Sequence, residues 1–391
     1  MKKGPIEKYL DRYAEEEVRC LPPNQNTWKY VVCIPACAEA ESLFATLEGL
    51  SQAQSSEQAL VIVVINARAS ASQAVHASNL RTWEQLRDVA GLAFEPLSFG
   101  RLGGLDLLVV DRWSEGRCLP EKQGVGLARK IAGDMALALI QSGRVSEPWI
   151  RCTDADVQVP KDYFEQLNGV GAEASAAVST FVHVPEGDVS QQEAMRLYDA
   201  YLQSYVDGLL AAGSPYAFHT IGSLISVKAE SYAAVRGIPK RLAGEDFYLL
   251  NKLAKVGRVV SLEGAPIRIR GRLSDRVPFG TGAALTEICA DEPDSYRPYT
   301  LRTFDGLAHW LDALESFVEH TDEDLLRASV QQLNEPLRSA LFQTLDGLGA
   351  FTAAAEASRQ VSGDQLRRRL TEWNDAFRTL KVIHGLRNKG I

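Results

Sequence analysis

Two aspartates one residue apart, Asp154 and Asp156, follow a short apolar run at residues 149–153. At the end of a strand, one such carboxylate can order a substrate while the other ligates a divalent cation. Hard cations such as Mg²⁺ and Mn²⁺ prefer oxygen ligands and usually keep waters and substrate phosphates in their shell. The two aspartates could instead cap a turn, and an Asp-x-Asp match alone does not separate these interpretations.

A second acidic pair, Glu245 and Asp246, follows Gly244 and opens a stretch with a helical pattern. Carboxylates in the first turn of a helix are stabilised by the helix dipole, so capping is one interpretation. The other interpretation is catalytic. An Asp246 side chain held by backbone amides at this terminus could serve as the general base for a hydroxyl group.

Glycines and cations occur together in residues 122–129, which read KQGVGLAR. A glycine-rich helix start flanked by Lys122 and Arg129 is suited to a diphosphate. No Gly-Lys-Ser/Thr follows the glycines, so the segment is not a P-loop. The glycines of residues 100–104 precede a strand instead of opening a helix, which argues against nicotinamide-dinucleotide chemistry.

Apolar strands that alternate with amphipathic helices must position these groups. Unbroken apolar runs are typical of parallel strands buried on both faces. We therefore expect an α/β fold with a Rossmann-like, mixed but mostly parallel sheet flanked by helices, followed by an α-helical C-terminal region. The predicted strands are residues 30–34, 60–65, 105–110, 149–153, 176–182, 221–227 and 259–262, and the predicted helices are residues 6–18, 41–50, 125–140, 191–210, 246–255, 311–318, 324–333, 337–345 and 365–380.

Ligands of open α/β sheets bind beyond the carboxyl ends of the strands, so the residues that follow each predicted strand are candidates for a site. These positions are residues 35–39, Asn66, Asp111 and residues 154–156, with residues 244–246 beside the sheet. Several of them carry carboxylates that we expect to meet on one rim.

In this order the motifs resemble a family 2 glycosyltransferase of the GT-A fold. That family typically shows a strand ending in IPAxNE, a GxxxARNxG helix, a DAD strand end and a glycine-rich acceptor segment before an ED helix. The resemblance covers roughly residues 29–285. It rests on IPACAE at residues 34–39, GVGLARK at 124–130, TDAD at 153–156, Gly222-Ser223 and Gly244-Glu245-Asp246.

The resemblance implies roles for the residues of the rim. Asp156 and Asp154 would be the metal carboxylates, with Mn²⁺ or Mg²⁺ as the cofactor. Asp246 would be the catalytic base, with Glu245 beside it. The residues assigned to the nucleotide-sugar donor, by the resemblance or by their place at strand ends, are Pro35, Ala36, Glu39, Asn66, Asp111, Lys122, Arg129, Asp154 and Arg276.

The chain departs from the family pattern in three places. Asn66 stands where an aspartate usually contacts the base, which leaves the base preference open. Arg129 and Lys130 replace the usual ARN sequence. The QxxRW motif of processive synthases is absent after Asp246, which favours transfer of a single sugar.

Four arginines, Arg268, Arg270, Arg272 and Arg276, alternate near the end of the predicted α/β domain. They could belong to a solvated edge strand and its loop. Alternatively, the loop folds over the donor and its arginines grip phosphate oxygens. The sequence leaves both interpretations open.

The amino-acid composition limits the cellular compartment and the kinds of partner that we expect for this protein. The 391 residues carry a formal net charge of −8, which argues against a general electrostatic grip on nucleic acid or an anionic membrane. Six scattered cysteines without CxxC pairing, and no signal peptide or apolar span, predict a cytoplasmic protein without membrane insertion. We expect a helical arm at 1–28, a GT-A domain at 29–285 and a helical region at 286–391 whose apolar faces could form a homodimer.

The sequence thus predicts a metal-dependent glycosyltransferase that moves one sugar from a nucleotide-diphospho-sugar to an acceptor hydroxyl with inversion. One alternative is a retaining GT-A enzyme of the mannosylglycerate or glucosyl-phosphoglycerate synthase type. Another is a non-catalytic nucleotide-sugar-binding protein. A sugar-phosphate nucleotidyltransferase is disfavoured, because PACAEAE at residues 35–41 lacks the GxGxR loop expected after the first strand.

Overall fold

The computed structural model describes residues 3–23, 26–91, 96–273, 280–290 and 296–391. The chain divides into two compact units, Met1–Met195 with Thr220–Ala290 and Arg196–His219 with Asp291–Ile391. The first unit is mixed α/β and the second is helical, which confirms the predicted fold class. Among the described residues, no helix is long and apolar enough to cross a membrane.

The regular elements alternate between strand and helix in the first unit and are helical after residue 290. The strands are β1 (Tyr30–Ala36), β2 (Ala59–Asn66), β3 (Leu97–Leu102), β4 (Leu105–Arg112), β5 (Trp149–Cys152), β6 (Val157–Gln158), β7 (Ala174–Val178), β8 (Phe181–Pro185), β9 (Ile225–Lys228), β10 (Arg258–Ser261) and β11 (Ile267–Gly271). The helices are α1 (Pro5–Arg12), α2 (Leu43–Ser51), α3 (Gln73–Ala90), α4 (Val125–Gln141), α5 (Val189–Ala211), α6 (Ala229–Ala234), α7 (Glu245–Leu253), α8 (Thr281–Cys289), α9 (Leu301–His320), α10 (Glu323–Val330), α11 (Leu337–Gly347), α12 (Ala350–Ser358), α13 (Gly363–Trp373) and α14 (Ala376–Arg387).

An eight-stranded sheet forms the core of the first unit, in the order β10-β7-β9-β5-β1-β2-β4-β3. The pairings of β1 with β2, β1 with β5 and β2 with β4 are parallel, whereas β3 and β9 run antiparallel to their neighbours. Every residue of β1 and β2 is buried, as their unbroken apolar sequences predict. Helix α4 packs against both strands.

A second sheet of three strands, in the order β6-β11-β8, lies in the same unit. Strand β11 is its central strand and carries Arg268 and Arg270, so these arginines do not belong to an edge strand. Asp156 immediately precedes β6, and Arg272 immediately follows β11. This small sheet therefore brings a predicted metal ligand and an arginine to neighbouring strand ends.

Several element predictions differ from the structure for local reasons. Residues 222–224 form a 3₁₀ turn before β9, so the strand predicted at 221–227 begins later, at Ile225. The strand predicted at 176–182 ends at Val178, and β8 then joins the other sheet. The helix predicted at 365–380 is two helices, because Asp375 caps α14 by accepting a hydrogen bond from the amide of Arg378 (3.1 Å).

A buried polar cluster fastens the N-terminal arm to the rest of the first unit. The phenol groups of Tyr9 and Tyr232 donate hydrogen bonds to Asp134 Oδ1 (2.6 and 2.8 Å), and Lys130 Nζ donates to Asp134 Oδ2 (2.7 Å). Desolvation raises the pKa of Asp134 above its usual range. Lys130, which follows Arg129 in the ARK sequence, thus pairs with a carboxylate of this cluster. The division into segments 1–28, 29–285 and 286–391 remains a prediction.

The second unit has its own apolar core, centred on Trp310, Leu341 and Phe351. The apolar residues Leu314, Phe317 and Leu326 of the predicted helices 311–318 and 324–333 pack within this core. Leu325 is 57% exposed.

Candidate functional site

The carboxyl ends of β1, β2 and β5 meet at one edge of the sheet, because these neighbouring strands are parallel. The amide of Thr153 donates to the carbonyl of Cys33 (3.0 Å), which extends the β1–β5 pairing up to Asp154. Pro35 and Ala36 are the last residues of β1, and both are buried within the strand. This edge holds the predicted residues Glu39, Asn66, Asp154 and Asp156, as expected for a doubly wound sheet.

Arg129 is the central cation of the site. It lies in the first turns of α4 and is 6% exposed. Its Nε donates to Glu245 Oε1 (3.0 Å), its Nη2 pairs with Asp154 Oδ1, and its Nη1 donates to the carbonyl of Gly222 (3.4 Å). Desolvation alone would lower the pKa of Arg129, but the carboxylates of Asp154 and Glu245 raise it above its ordinary value. One buried guanidinium therefore joins the segment after β5 to the start of α7.

Two glycines make room for this arrangement. A Cβ on Gly222 would lie 2.5 Å from Arg129 Nη2, so a larger residue here would displace the guanidinium from its present position. A Cβ on Gly126 would lie 2.4 Å from the carbonyl oxygen of Pro239. The amides of Gly124 and Gly126 both donate to the carbonyl of Arg241 (3.2 and 3.1 Å). The backbone amides of Gly124 and Gly126 therefore hold the segment that leads into α7. Lys122, two residues before Gly124, is exposed.

Asp246 is a half-buried carboxyl group in the first turn of α7. Its Oδ1 accepts a hydrogen bond from the amide of Phe247 (2.7 Å). Burial raises its pKa from 3.8 to about 7, the charge of Glu245 adds to the rise, and Arg129 opposes it. A carboxyl group with this pKa exchanges its proton near neutral pH, which is the property that general acid–base catalysis needs.

Arg272 occupies the other side of the site, between two carboxylates. Its Nη2 lies 2.7 Å from Asp156 Oδ2 and 2.8 and 2.9 Å from the two carboxylate oxygens of Glu39. Glu39 is 5% exposed and follows β1. These contacts raise the pKa of Arg272 above its ordinary value against the effect of desolvation. The contacts join the ends of β1 and β11 to the start of β6.

The loop after β1 is held in place by α3, which the sequence analysis missed. Ala38 has a positive φ of 57°, and its amide donates to Asn79 Oδ1 (2.8 Å). The Nδ2 of Asn79 donates in turn to the carbonyl of Asn66 (3.0 Å). Asn79 is fully buried. Since α3 buries mostly polar and small residues on this face, its apolar periodicity is weak, and no sequence signal marks Asn79.

The Asp111 carboxylate is bound by residues of the loop that follows β4. Its Oδ1 accepts from the amides of Trp113 (3.1 Å) and Ser114 (3.0 Å), and its Oδ2 lies 3.2 Å from Arg117 Nη1. The carboxylate is 5% exposed and shapes the loop after β4. A cavity of about 550 Å³ borders this loop, and its lining includes Ala69, His76 and Trp113.

Asn66 and Arg276 are two further positions that the sequence assigns to the donor. The side chain of Asn66 is buried at the end of β2, and its Oδ1 accepts no hydrogen bond from the described part of the chain. Arg276 lies outside the described residues.

A divalent cation is the group that the sequence resemblance implies at this edge. No set of three or more His, Cys, Asp or Glu side chains within the described ranges is arranged to hold a metal ion. Mg²⁺-type sites, however, often use one or two carboxylates, with waters and substrate phosphates completing the shell. Asp154 and Asp156 supply two carboxylates of the right chemistry and so fit such a cation. Each carboxylate already pairs with an arginine, Arg129 and Arg272 respectively.

Comparisons with known proteins give distant structural likenesses. No protein-family model matches the chain, and the curated proteins give no match by sequence. S. aureus TarS 1–349 in complex with UDP-GlcNAc is 13% identical with a TM-score of 0.42, over 90% of this chain and 92% of that chain. The mannosyltransferase PcManGT from Pyrobaculum calidifontis, in complex with GDP-Man and Mn²⁺, is 14% identical with a TM-score of 0.37, over 94% and 93%.

A third solved structure is glucosyl-3-phosphoglycerate synthase from Mycobacterium tuberculosis, in complex with Mn²⁺, uridine-diphosphate and phosphoglyceric acid. It is 13% identical with a TM-score of 0.32, over 68% of this chain and 78% of that chain.

Proposed function

We propose that the protein is a glycosyltransferase that moves one sugar from a nucleotide-diphospho-sugar to an acceptor hydroxyl, with Asp246 as the general base. The observation that carries this proposal is the half-buried Asp246 carboxyl group in the first turn of α7, where burial raises its pKa above the ordinary value. It is linked through Glu245 and Arg129 to Asp154, at the carboxyl end of β5. The base and the donor-side carboxylates therefore belong to one connected site.

In the proposed reaction, Asp246 accepts the proton of the acceptor hydroxyl as its oxygen attacks the anomeric carbon. A new bond forms between that oxygen and the anomeric carbon. The bond from the anomeric carbon to the diphosphate breaks, and the nucleoside diphosphate leaves with the electron pair. Attack opposite to the leaving group inverts the anomeric configuration, and a base on the acceptor side is what such a displacement requires.

The other residues bind and position the reactants in this proposal. Arg129 fixes Asp154 and Glu245, and Asn79 fixes the loop that carries Glu39. A Mn²⁺ or Mg²⁺ ion, when bound by Asp156 and Asp154, would neutralise charge on the departing diphosphate. The donor sites assigned to Pro35, Ala36, Asn66, Asp111, Lys122 and Arg276, a cytoplasmic location and a homodimer through the C-terminal helices stay predictions.

A donor panel tests the proposal. The protein is incubated with UDP-, GDP- and dTDP-sugars and Mn²⁺, and release of nucleoside diphosphate is measured with water as the acceptor. We expect slow hydrolysis of one donor class and a rise in melting temperature with that donor, since a ligand that binds only the native state stabilises it. Binding of a donor without any turnover would favour a nucleotide-sugar-binding protein instead.

The anomeric signal of the fresh product, followed by NMR, distinguishes the two enzymatic mechanisms. Inversion is expected if Asp246 acts as the base. Retention of configuration would remove the role assigned to Asp246 and favour the synthase-type alternative.

A further inference from the structure

We propose that Arg272 competes with the divalent cation for Asp156, so that the cation binds well only together with the nucleoside diphosphate. This inference rests on the proposed function, because it assigns the donor diphosphate a second task. The diphosphate would receive the arginine that the cation displaces. Arg272 is thereby a positioning residue that couples cation binding to donor binding.

The contacts of Arg272 support the competition. A single nitrogen, Nη2, lies within 2.9 Å of both oxygens of Glu39 and of Asp156 Oδ2. The side chains are 6% exposed for Glu39, 17% for Asp156 and 27% for Arg272, so water screens these charges only partly. The guanidinium therefore holds the carboxylate that the cation needs.

A dication and a guanidinium cannot share Asp156 in this arrangement. A cation bound to Asp156 Oδ2 would sit within a few ångströms of Arg272 Nη2, and like charges at that distance repel each other. Arg272 must therefore leave before the cation binds there. In the absence of nucleotide, the cation must displace a charge-assisted ion pair without offering the arginine a new partner.

The nucleoside diphosphate supplies that new partner. Guanidinium groups bind phosphate oxygens with the same forked geometry that they use for carboxylates. When cation and diphosphate arrive together, Asp156 exchanges an arginine for the cation, and Arg272 exchanges a carboxylate for a phosphate. Asp156 and Arg272 each keep a partner of opposite charge during the exchange.

The position of Arg272 in the chain permits this movement. It follows Gly271, the last residue of β11, so its backbone is outside the ladder of the small sheet. Arg270, two residues earlier, is part of the strand and pairs with Glu186 through both Nε and Nη2. Arg270 therefore serves as a matched control: removing it changes the net charge equally but leaves the Asp156 contact in place.

The test measures Mn²⁺ binding to the full chain without nucleotide, by the electron paramagnetic resonance of free Mn²⁺. Wild type, Arg272→Ala and Arg270→Ala are compared. We expect Arg272→Ala to bind Mn²⁺ about tenfold more tightly than wild type, since a charged hydrogen-bonded pair no longer opposes binding. Arg270→Ala should gain clearly less than Arg272→Ala, because Arg270 interacts with Asp156 only through space and makes no hydrogen bond to it. Arg272→Gln, which keeps much of the side-chain length, gives the same comparison if the alanine variant does not fold.

A second titration follows UDP and GDP binding with and without Mn²⁺. Wild type should show strong mutual enhancement of Mn²⁺ and one nucleotide, and Arg272→Ala should show less. Unchanged or weaker Mn²⁺ binding by Arg272→Ala, or an equal gain in Arg270→Ala, would overturn the inference. If neither nucleotide binds any variant, the proposed function fails for UDP- and GDP-sugar donors, whereas the nucleotide-free comparison still decides the role of Arg272.

Discussion

Replacing Asp246 by asparagine should stabilise the protein at neutral and alkaline pH. The folded state raises the pKa of this carboxyl group from 3.8 to about 7. Between these pH values the folded state binds more protons at Asp246 than the unfolded state does. The free energy of unfolding therefore falls as the pH rises through this window, and it levels off above pH 7. Asp246→Asn keeps the shape of the side chain and removes the charge.

The size of the effect follows from the two pKa values. At about 1.4 kcal/mol per pKa unit, a rise from 3.8 to about 7 corresponds to about 4 kcal/mol. Asp246 is half-buried, so solvent screening reduces this upper bound. We expect a gain of about 1–2 kcal/mol for Asp246→Asn at pH 8. Most of that gain should develop between pH 4 and pH 7.

Urea unfolding of wild type and Asp246→Asn at pH 5 and pH 8 measures this gain. The difference in unfolding free energy between the two proteins should be larger at pH 8 than at pH 5, by about 1 kcal/mol. Glu263→Gln is the control, since Glu263 is an exposed carboxylate in the loop between β10 and β11. This variant removes one exposed negative charge and so shows how much of the effect comes from net charge alone. A pH-independent difference for Asp246→Asn, or a loss of stability at pH 8, would refute the assigned pKa and its cause.

Two further predictions concern the groups around Asp246. Arg129→Met should destabilise the protein by about 3–5 kcal/mol in urea unfolding, because Glu245 is left buried without its cation. It should also move the pH midpoint of donor hydrolysis upwards, since Arg129 lowers the pKa of Asp246; an unmoved midpoint would contradict the network. Gly222→Ala should cost about 1–3 kcal/mol and reduce donor hydrolysis, since its Cβ would collide with the guanidinium of Arg129. Gly347→Ala, where a Cβ meets no atom within 4 Å, is the control, and equal losses in both variants would count against the close approach.

The large sheet was predictable because the sequences of its central strands favour one structure over the others. The unbroken apolar runs that became β1, β2 and β4 predict buried parallel strands, and the polar residues that follow them then fall on one edge. The second sheet of β6, β8 and β11 was not predicted, since its strands are short and carry polar residues such as His183 and Arg270. Their pairing depends on contacts between residues far apart in the chain, which no local pattern reports.

In the candidate site, too, contacts between distant segments could not be predicted from the sequence. The types and order of Asp154, Asp156 and Asp246 predict a carboxylate-rich edge, and the structure places them at strand and helix ends. The sequence cannot show that Arg129 joins Asp154 to Glu245, nor that Arg272 bridges Glu39 and Asp156, because each link joins distant segments. Motif spacing identifies residues that can do chemistry, and the tertiary contacts decide which charges compensate them.

The most direct test of the account compares donor turnover by wild type and Asp246→Asn, with the donor class that wild type hydrolyses. Loss of a general base should lower kcat by about 100-fold or more while the Kd for the donor changes little. In wild type, kcat should rise with pH and level off above about pH 7, following the pKa of Asp246. Turnover by Asp246→Asn within a few fold of wild type, with the same pH profile, would contradict the assignment of Asp246 as the base.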